Sequence, residues 1–132
     1  MRLRRMAVYA WAFPPTLLGL LPLPLVLLQG GFICRIDGVW EISGGFVSWF
    51  LQHGIRWMGP VQAMTFGHVV WGLSEDCLRR TRAHERVHVR QYERWGPFFI
   101  PAYLCASAWA KFRGRDPYRD NPFEREAFAM DE

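Results

Sequence analysis

A chain of 132 residues has room for one modest core, and its 51% apolar content with seven tryptophans excludes a disordered tail. The formal charge of +4 comes from sixteen basic and twelve acidic residues, all but one of the bases being arginine. Residues 1–74 hold five arginines against two acids and residues 75–132 hold eleven bases against ten acids, a balance that excludes nucleic-acid binding through bulk charge.

No charge appears between Met6 and Cys34, a run long enough to cross a bilayer with the preceding arginines on the cytoplasmic side. Pro14 and Pro15 suit a helix start, whereas Pro22 and Pro24 would break a helix inside the span and free backbone groups that lipid cannot satisfy. No small-x-small site follows the run, which argues against a cleaved signal peptide. Residues 1–31 are therefore read as an apolar segment, either membrane-associated or packed on the core of a single domain over 32–132. Localisation divides the same way, between membrane-associated and cytoplasmic. A single span would set the domain outside, while Cys34, Cys77 and Cys105, in no C-x-x-C arrangement, read as free thiols that lean toward a reducing compartment.

Phe32 to Ile36, the turn pair Asp37-Gly38 and Val39 to Ser43 predict a β-hairpin. Phe46 to Met58 is aromatic and ambiguous between strand and helix. Val61 to Gly72 is rich in β-formers and predicts one strand, with Gly67 a bulge or a point of close approach. Ser74 caps a helix whose first turn holds Glu75 and Asp76, and which runs to about Trp95 before Gly96-Pro97 stops it. A core helix is expected from near Pro101 to Gly114, with Ala102, Ala106 and Ala110 allowing close packing, and Asn121-Pro122 opens a last short helix. Strands precede helices, so the fold class is α+β: a small antiparallel sheet followed by a helical half.

The long helix carries H-E-x-x-H at His84, Glu85 and His88. At roughly 100° per residue, Arg79, Arg82, Arg86, Arg90 and Arg94 share one side. Cys77, Thr81, His84, His88, Gln91, Tyr92 and Trp95 share the other, with Glu85 just beyond them. Two histidines at i and i+4 can aim one ring nitrogen each at a single point, as a tetrahedral zinc requires. Glu85, beside that pair, stands where a general base would take a proton from an activated water. The alternative is a pair of half-buried histidines satisfied by hydrogen bonds, and Arg82 and Arg86 inside the motif are unusual for a hydrolase helix. A third ligand would come from Glu124 or Glu126, with His68 as an outsider. Glu124 shares a helical face with Ala127 and Phe128, while Glu126 points roughly 200° away.

The stretches HERVHVRQYERWGPFFIPAY and GRDPYRDNPFEREAF resemble a group of small uncharacterised bacterial proteins sharing H-E-x-x-H-x-x-Q and a late N-P-F-E-x-E-A. More distantly, they are similar to minimal gluzincin-type zinc metallopeptidases. The resemblance covers about residues 62–128. It implies a zincin-like domain with Zn2+ held by His84, His88 and Glu124, since Glu124 to Ala127 matches the first four positions of E-x-x-A-D. Phe128 stands where the aspartate would be, removing a carboxylate that could orient a histidine. The resemblance also implies a peptide or protein substrate lying along a strand within Val61 to Trp71. Tyr92, Tyr103 and Tyr118 are candidates to stabilise an oxyanion, and His68 and Glu126 to support the ligands.

Three functions follow: a zinc metallopeptidase or metallohydrolase with Glu85 as base, a zinc-binding protein without activity, and a membrane-peripheral protein using the apolar N-terminus and the arginine stripe. A nucleic-acid partner is not expected, because no aromatic-interleaved basic motif accompanies the stripe.

Overall fold

Short helices occupy the apolar N-terminal stretch, because its prolines allow nothing longer. The computed structural model describes residues 2–54 and 61–131. It begins with α1 (Arg2–Trp11), α2 (Phe13–Leu20) and α3 (Leu23–Leu28), the last two each carrying proline in the first turn. Ala12 and Val26 are fully buried, and the Trp71 indole donates to the Gly19 carbonyl at 2.8 Å. One side of this segment therefore rests on the core that follows it.

The hairpin forms as the sequence predicts, β1 (Phe32–Ile36) pairing antiparallel with β2 (Val39–Ser43). Asp37 and Gly38 turn it with φ of 54° and 79°, the two left-handed residues that match the twist of the strands. The ambiguous stretch resolves as a helix, α4 (Gly45–His53), and its end, residues 55–58, lies outside the described residues.

Val61 to Gly72 is not one strand but a second hairpin, β3 (Ala63–Phe66) and β4 (Val69–Gly72), closed by Phe66 against Val69. Gly67 makes the turn at φ 62°, and a Cβ there would collide with Thr16 and the Ala12 carbonyl. The glycine is thus both a reversal and the expected close approach.

The α+β class holds, but the sheet is mixed rather than antiparallel. Its order is β1-β2-β4-β3, and β2 and β4 run parallel. The chain between them carries α4 and β3, long enough for the crossover that a parallel pair requires. β3 is left at the sheet edge.

The strands alternate cleanly between faces. Val39, Glu41, Ala63, Thr65 and Val70 look one way, where Leu78 and Val89 complete a core cluster. Ile42, Val69 and Trp71 look the other way, toward Val26, Val47 and Leu51 of α3 and α4.

The predicted helix from Ser74 to Trp95 divides into α5 (Glu75–Arg80) and α6 (Arg82–Trp95). Ser74 caps the first by accepting from the Cys77 amide at 3.1 Å. Thr81 interrupts the pair at φ −99° and ψ 4°, its hydroxyl donating to the Cys77 carbonyl at 2.7 Å, a local bond that competes with helix continuation. A 3₁₀ turn (Gly96–Phe98) leads into α7 (Phe99–Phe112), and Asn121, accepting from the Phe123 amide at 2.9 Å, caps α8 (Pro122–Asp131).

Candidate metal centre

The sheet-facing side of α6 is set by one buried acid. Glu41 of β2 is 2% exposed and accepts from Nε and Nη2 of Arg82 at 2.9 Å each and from Nη2 of Arg86 at 3.1 Å. Two of the stripe's arginines are thus drawn onto the sheet instead of into solvent. That anchorage turns His84 and His88 toward α7 and α8.

Glu124, on the first turn of α8, meets them. His84 Nε2 and His88 Nε2 each lie 2.9 Å from Glu124 Oε1, and all three side chains are buried. The potential ligand atoms fall within 4.8 Å of one another. Two imidazole nitrogens and a carboxylate oxygen at that spacing could hold a metal ion.

Gln91 supplies the test of fit. Its amide nitrogen donates to the Phe123 carbonyl at 3.0 Å and to Glu126 at 2.9 Å, so its oxygen is the atom 2.8 Å from His88 Nδ1. That oxygen only accepts, so Nδ1 carries a hydrogen. A neutral His88 then presents a lone pair at Nε2 to a carboxylate oxygen, acceptor against acceptor, unless a cation lies between them.

In the metal-free chain a ring proton plays that part. Burial alone would lower the His88 pKa, but the hydrogen bond and charge of Glu124 outweigh it and raise the pKa to about 9. His84 is raised against its own burial by the same hydrogen bond. Burial would raise Glu124, yet the two histidines hold it at about 2. The cluster thus holds a proton where a cation would sit, and a metal ion binding there would displace it.

Around the cluster, Tyr103 donates to Glu124 Oε2 at 2.5 Å, and Asn121 ties α8 to α7 through the Tyr103 carbonyl at 3.1 Å and Ser107 at 2.9 Å. Phe128 presses its ring against His84, centroids 4.6 Å apart and edge-on.

Glu85 is buried and accepts from the Thr65 hydroxyl at 2.6 Å. Burial raises its pKa, partly opposed by the charge of His88. With His88, Glu124, Tyr92, Tyr103 and Tyr118 it lines a cavity of about 230 Å³ whose other walls are largely apolar. A titratable group with a raised pKa beside a cluster of metal-binding type, in an apolar cavity, has the ingredients of an acid–base site.

No family model, curated protein or solved structure matches this chain.

The remaining candidates separate by position. Tyr92 donates to the Thr65 carbonyl at 3.0 Å, Tyr118 packs edge-on against Phe128 with centroids 5.6 Å apart, and burial raises the pKa values of Tyr92 and Tyr103. Glu126, 49% exposed at its side chain, lies behind Gln91 and Arg94 and outside the ligand cluster. His68 sits at the β3–β4 turn, bonded to Glu93 at 2.9 Å and packed against Tyr9 with the rings tilted by 31° and centroids 4.2 Å apart, away from the cluster.

Sequence reasoning passed over Thr65, the tie from Asn121 to α7 and the orienting role of Gln91. Gln91 alone carried a usable signal, three residues after His88 on the same helical face.

Proposed function

We propose that this chain is a small zinc-dependent metallohydrolase acting on peptide or protein substrates, with His84, His88 and Glu124 as ligands and Glu85 as general base. The observation that carries the reading is the meeting of three buried ligand atoms within 4.8 Å beside a cavity that Glu85 also lines. Two histidines and one glutamate are a donor set that zinc accepts while keeping a position open. Zinc held there supplies Lewis acidity, polarising a carbonyl and lowering the pKa of water.

The chain's own residues do the rest. Glu85, made more basic by burial, takes the proton of the attacking water and returns it to the leaving amine. Thr65 fixes one carboxylate oxygen of Glu85, and Tyr103 fixes the second oxygen of Glu124. The apolar cavity wall excludes bulk water, which strengthens each of these interactions.

The test is zinc content by elemental analysis together with hydrolysis of a fluorogenic peptide library. Wild type and Glu85→Gln retain about one zinc per chain, while His88→Ala and Glu124→Ala lose it. Hydrolysis falls roughly 10²- to 10⁴-fold in Glu85→Gln. Hydrolysis that survives Glu85→Gln refutes the assignment of the base.

A second reading has its own support. Glu124 and the histidines lie on different helices, so a metal there would fasten α8 to α6 whether or not anything is cleaved. Chelation that lowers Tm, with no peptide hydrolysed, favours this structural role.

A further inference from the structure

Helix α7 is apolar on both sides. Its buried face holds Phe99, with Ile100 and Tyr103 packed beside it, then Ser107, which accepts from Asn121 at 2.9 Å, and the small Ala110. Its exposed face, from Pro101 through Leu104, Ala108 and Trp109 to Phe112, is apolar, with Phe112 83% exposed. This stripe recurs at three- and four-residue spacing over roughly 20 Å of helix. A helix apolar on its outward side is ordinarily covered.

The uncovered surface continues onto the N-terminal helices. Trp11 and Phe98, both exposed, have ring centroids 5.9 Å apart, joining the 3₁₀ turn before α7 to α1. Phe13, Leu17, Leu21, Leu25 and Leu28 are also exposed, Leu28 at 86%. Among the described residues no single helix is long and apolar enough to cross a membrane; the pair Leu3–Trp11 and Phe13–Leu28 reaches that length and apolarity only together and is bent by 60°.

Charge decides what covers this face. Residues 1–36 and 94–115 contain no aspartate or glutamate, only bases. Arg4 and Arg5 are exposed on α1, and Lys111, Arg113 and Arg115 at the far end of α7. Beside Trp109 a hollow of about 280 Å³ is lined by Arg113, Arg115 and Arg125, the last paired with Asp120 at 3.3 Å. A second copy docked face to face would bring Arg4, Arg5, Lys111 and Arg113 together with the same cations of its partner, and Asp120, the acid in the hollow, is already paired with Arg125. An apolar surface bordered by cations and exposed tryptophans matches the acyl and headgroup layers of an anionic leaflet.

We propose that α7 and the N-terminal helices form a seat for an anionic phospholipid membrane, lying in its interface with the cations at headgroup level. The seat does not depend on the metal reading. Leu104 belongs both to this face and to the cavity wall, so seat and cavity are neighbours.

The test is flotation of the full chain, kept in detergent until mixing, with vesicles of phosphatidylcholine alone or containing about one-third phosphatidylglycerol, at low and high salt. Binding is expected on the anionic vesicles, weakened by salt, and reduced roughly fivefold by each of Lys111→Gln and Arg113→Gln. The double variant Trp109→Glu, Phe112→Glu is expected to melt like wild type and to stay off the vesicles. If it fails to fold, an environment-sensitive dye on exposed Cys105 gives the same reading, with a blue shift on anionic vesicles. Absence of binding, binding unaffected by these substitutions, or a lipid-free dimer in which Cys105 is shielded from labelling overturns the proposal.

Discussion

The side-chain oxygen of Gln91 lies 2.8 Å from Nδ1 of His88, and this contact decides which nitrogen of the ring faces Glu124. The hydrogen on Nδ1 leaves Nε2 as the ligand atom. Partners of this kind typically contribute 10- to 100-fold in metal affinity. Gln91→Leu is therefore expected to weaken zinc binding by about that factor, while Gln91→Glu, which keeps an acceptor, loses less. Competition against a chromogenic chelator measures it, and an unchanged affinity for Gln91→Leu contradicts the orienting role.

The metal-free protein should have a stability window in pH. His88 is raised from 6.5 to about 9, so its contribution is complete below about 6.5 and is lost as pH rises through about 9. Glu124 is lowered from 4.5 to about 2, so its contribution is complete above about 4.5 and is lost as pH falls through about 2. Glu85, raised by burial, adds to the loss on the alkaline side of its ordinary value. Chelated protein should thus melt highest between about 4.5 and 6.5 and progressively lower toward pH 9. A Tm that stays level from pH 6 to pH 9 would exclude this charge arrangement.

Glu41 holds two cations in a place where it cannot be spared. Glu41→Gln leaves Arg86, 17% exposed, without its counter-charge and should cost about 3 kcal/mol in urea unfolding. Replacing Glu41, Arg82 and Arg86 together by leucine or methionine should cost far less, since no buried charge is then left unmatched. Equal destabilisation by the single and triple substitutions would mean that packing, not charge, dominates there.

Gly67→Ala tests the second hairpin. The positive φ of 62° and the crowding against Thr16 and Ala12 are expected to destabilise the chain by more than about 1 kcal/mol, lowering Tm by about 4 °C or more. A neutral alanine would show that the N-terminal helices yield easily at this contact.

Much of the site was legible because it depends on helical periodicity. The spacing of His84, His88 and Gln91 puts them on one face of α6 regardless of tertiary detail, while periodicity left Glu124 and Glu126 both open and favoured Glu124 only through the side it shares with Ala127 and Phe128. Asp37-Gly38, Ser74 and Asn121 were readable for the same reason, since a turn or cap is written in neighbouring residues. Long-range choices were not. The parallel pairing of β2 with β4 depends on where α4 returns the chain, and the position of Arg82 and Arg86 depends on Glu41, more than forty positions away. The break at Thr81 was hidden because a threonine tolerates a helix interior as often as it interrupts one. The second hairpin was missed because its turn, Gly67-His68, lacks the usual asparagine or aspartate, leaving an apolar run that reads as one strand.

The Trp11 indole donates to the Arg94 carbonyl at 3.2 Å across 83 positions of sequence, and its ring lies where a side chain at Gly96 would have to be. During synthesis α1 emerges long before the surface that receives it exists. The apolar helices made first must wait for both hairpins and α6, and closing so wide a loop slows their docking. For that interval they are exposed to whatever binds nascent apolar chain, and the order of translation, not only the final packing, governs what they meet first.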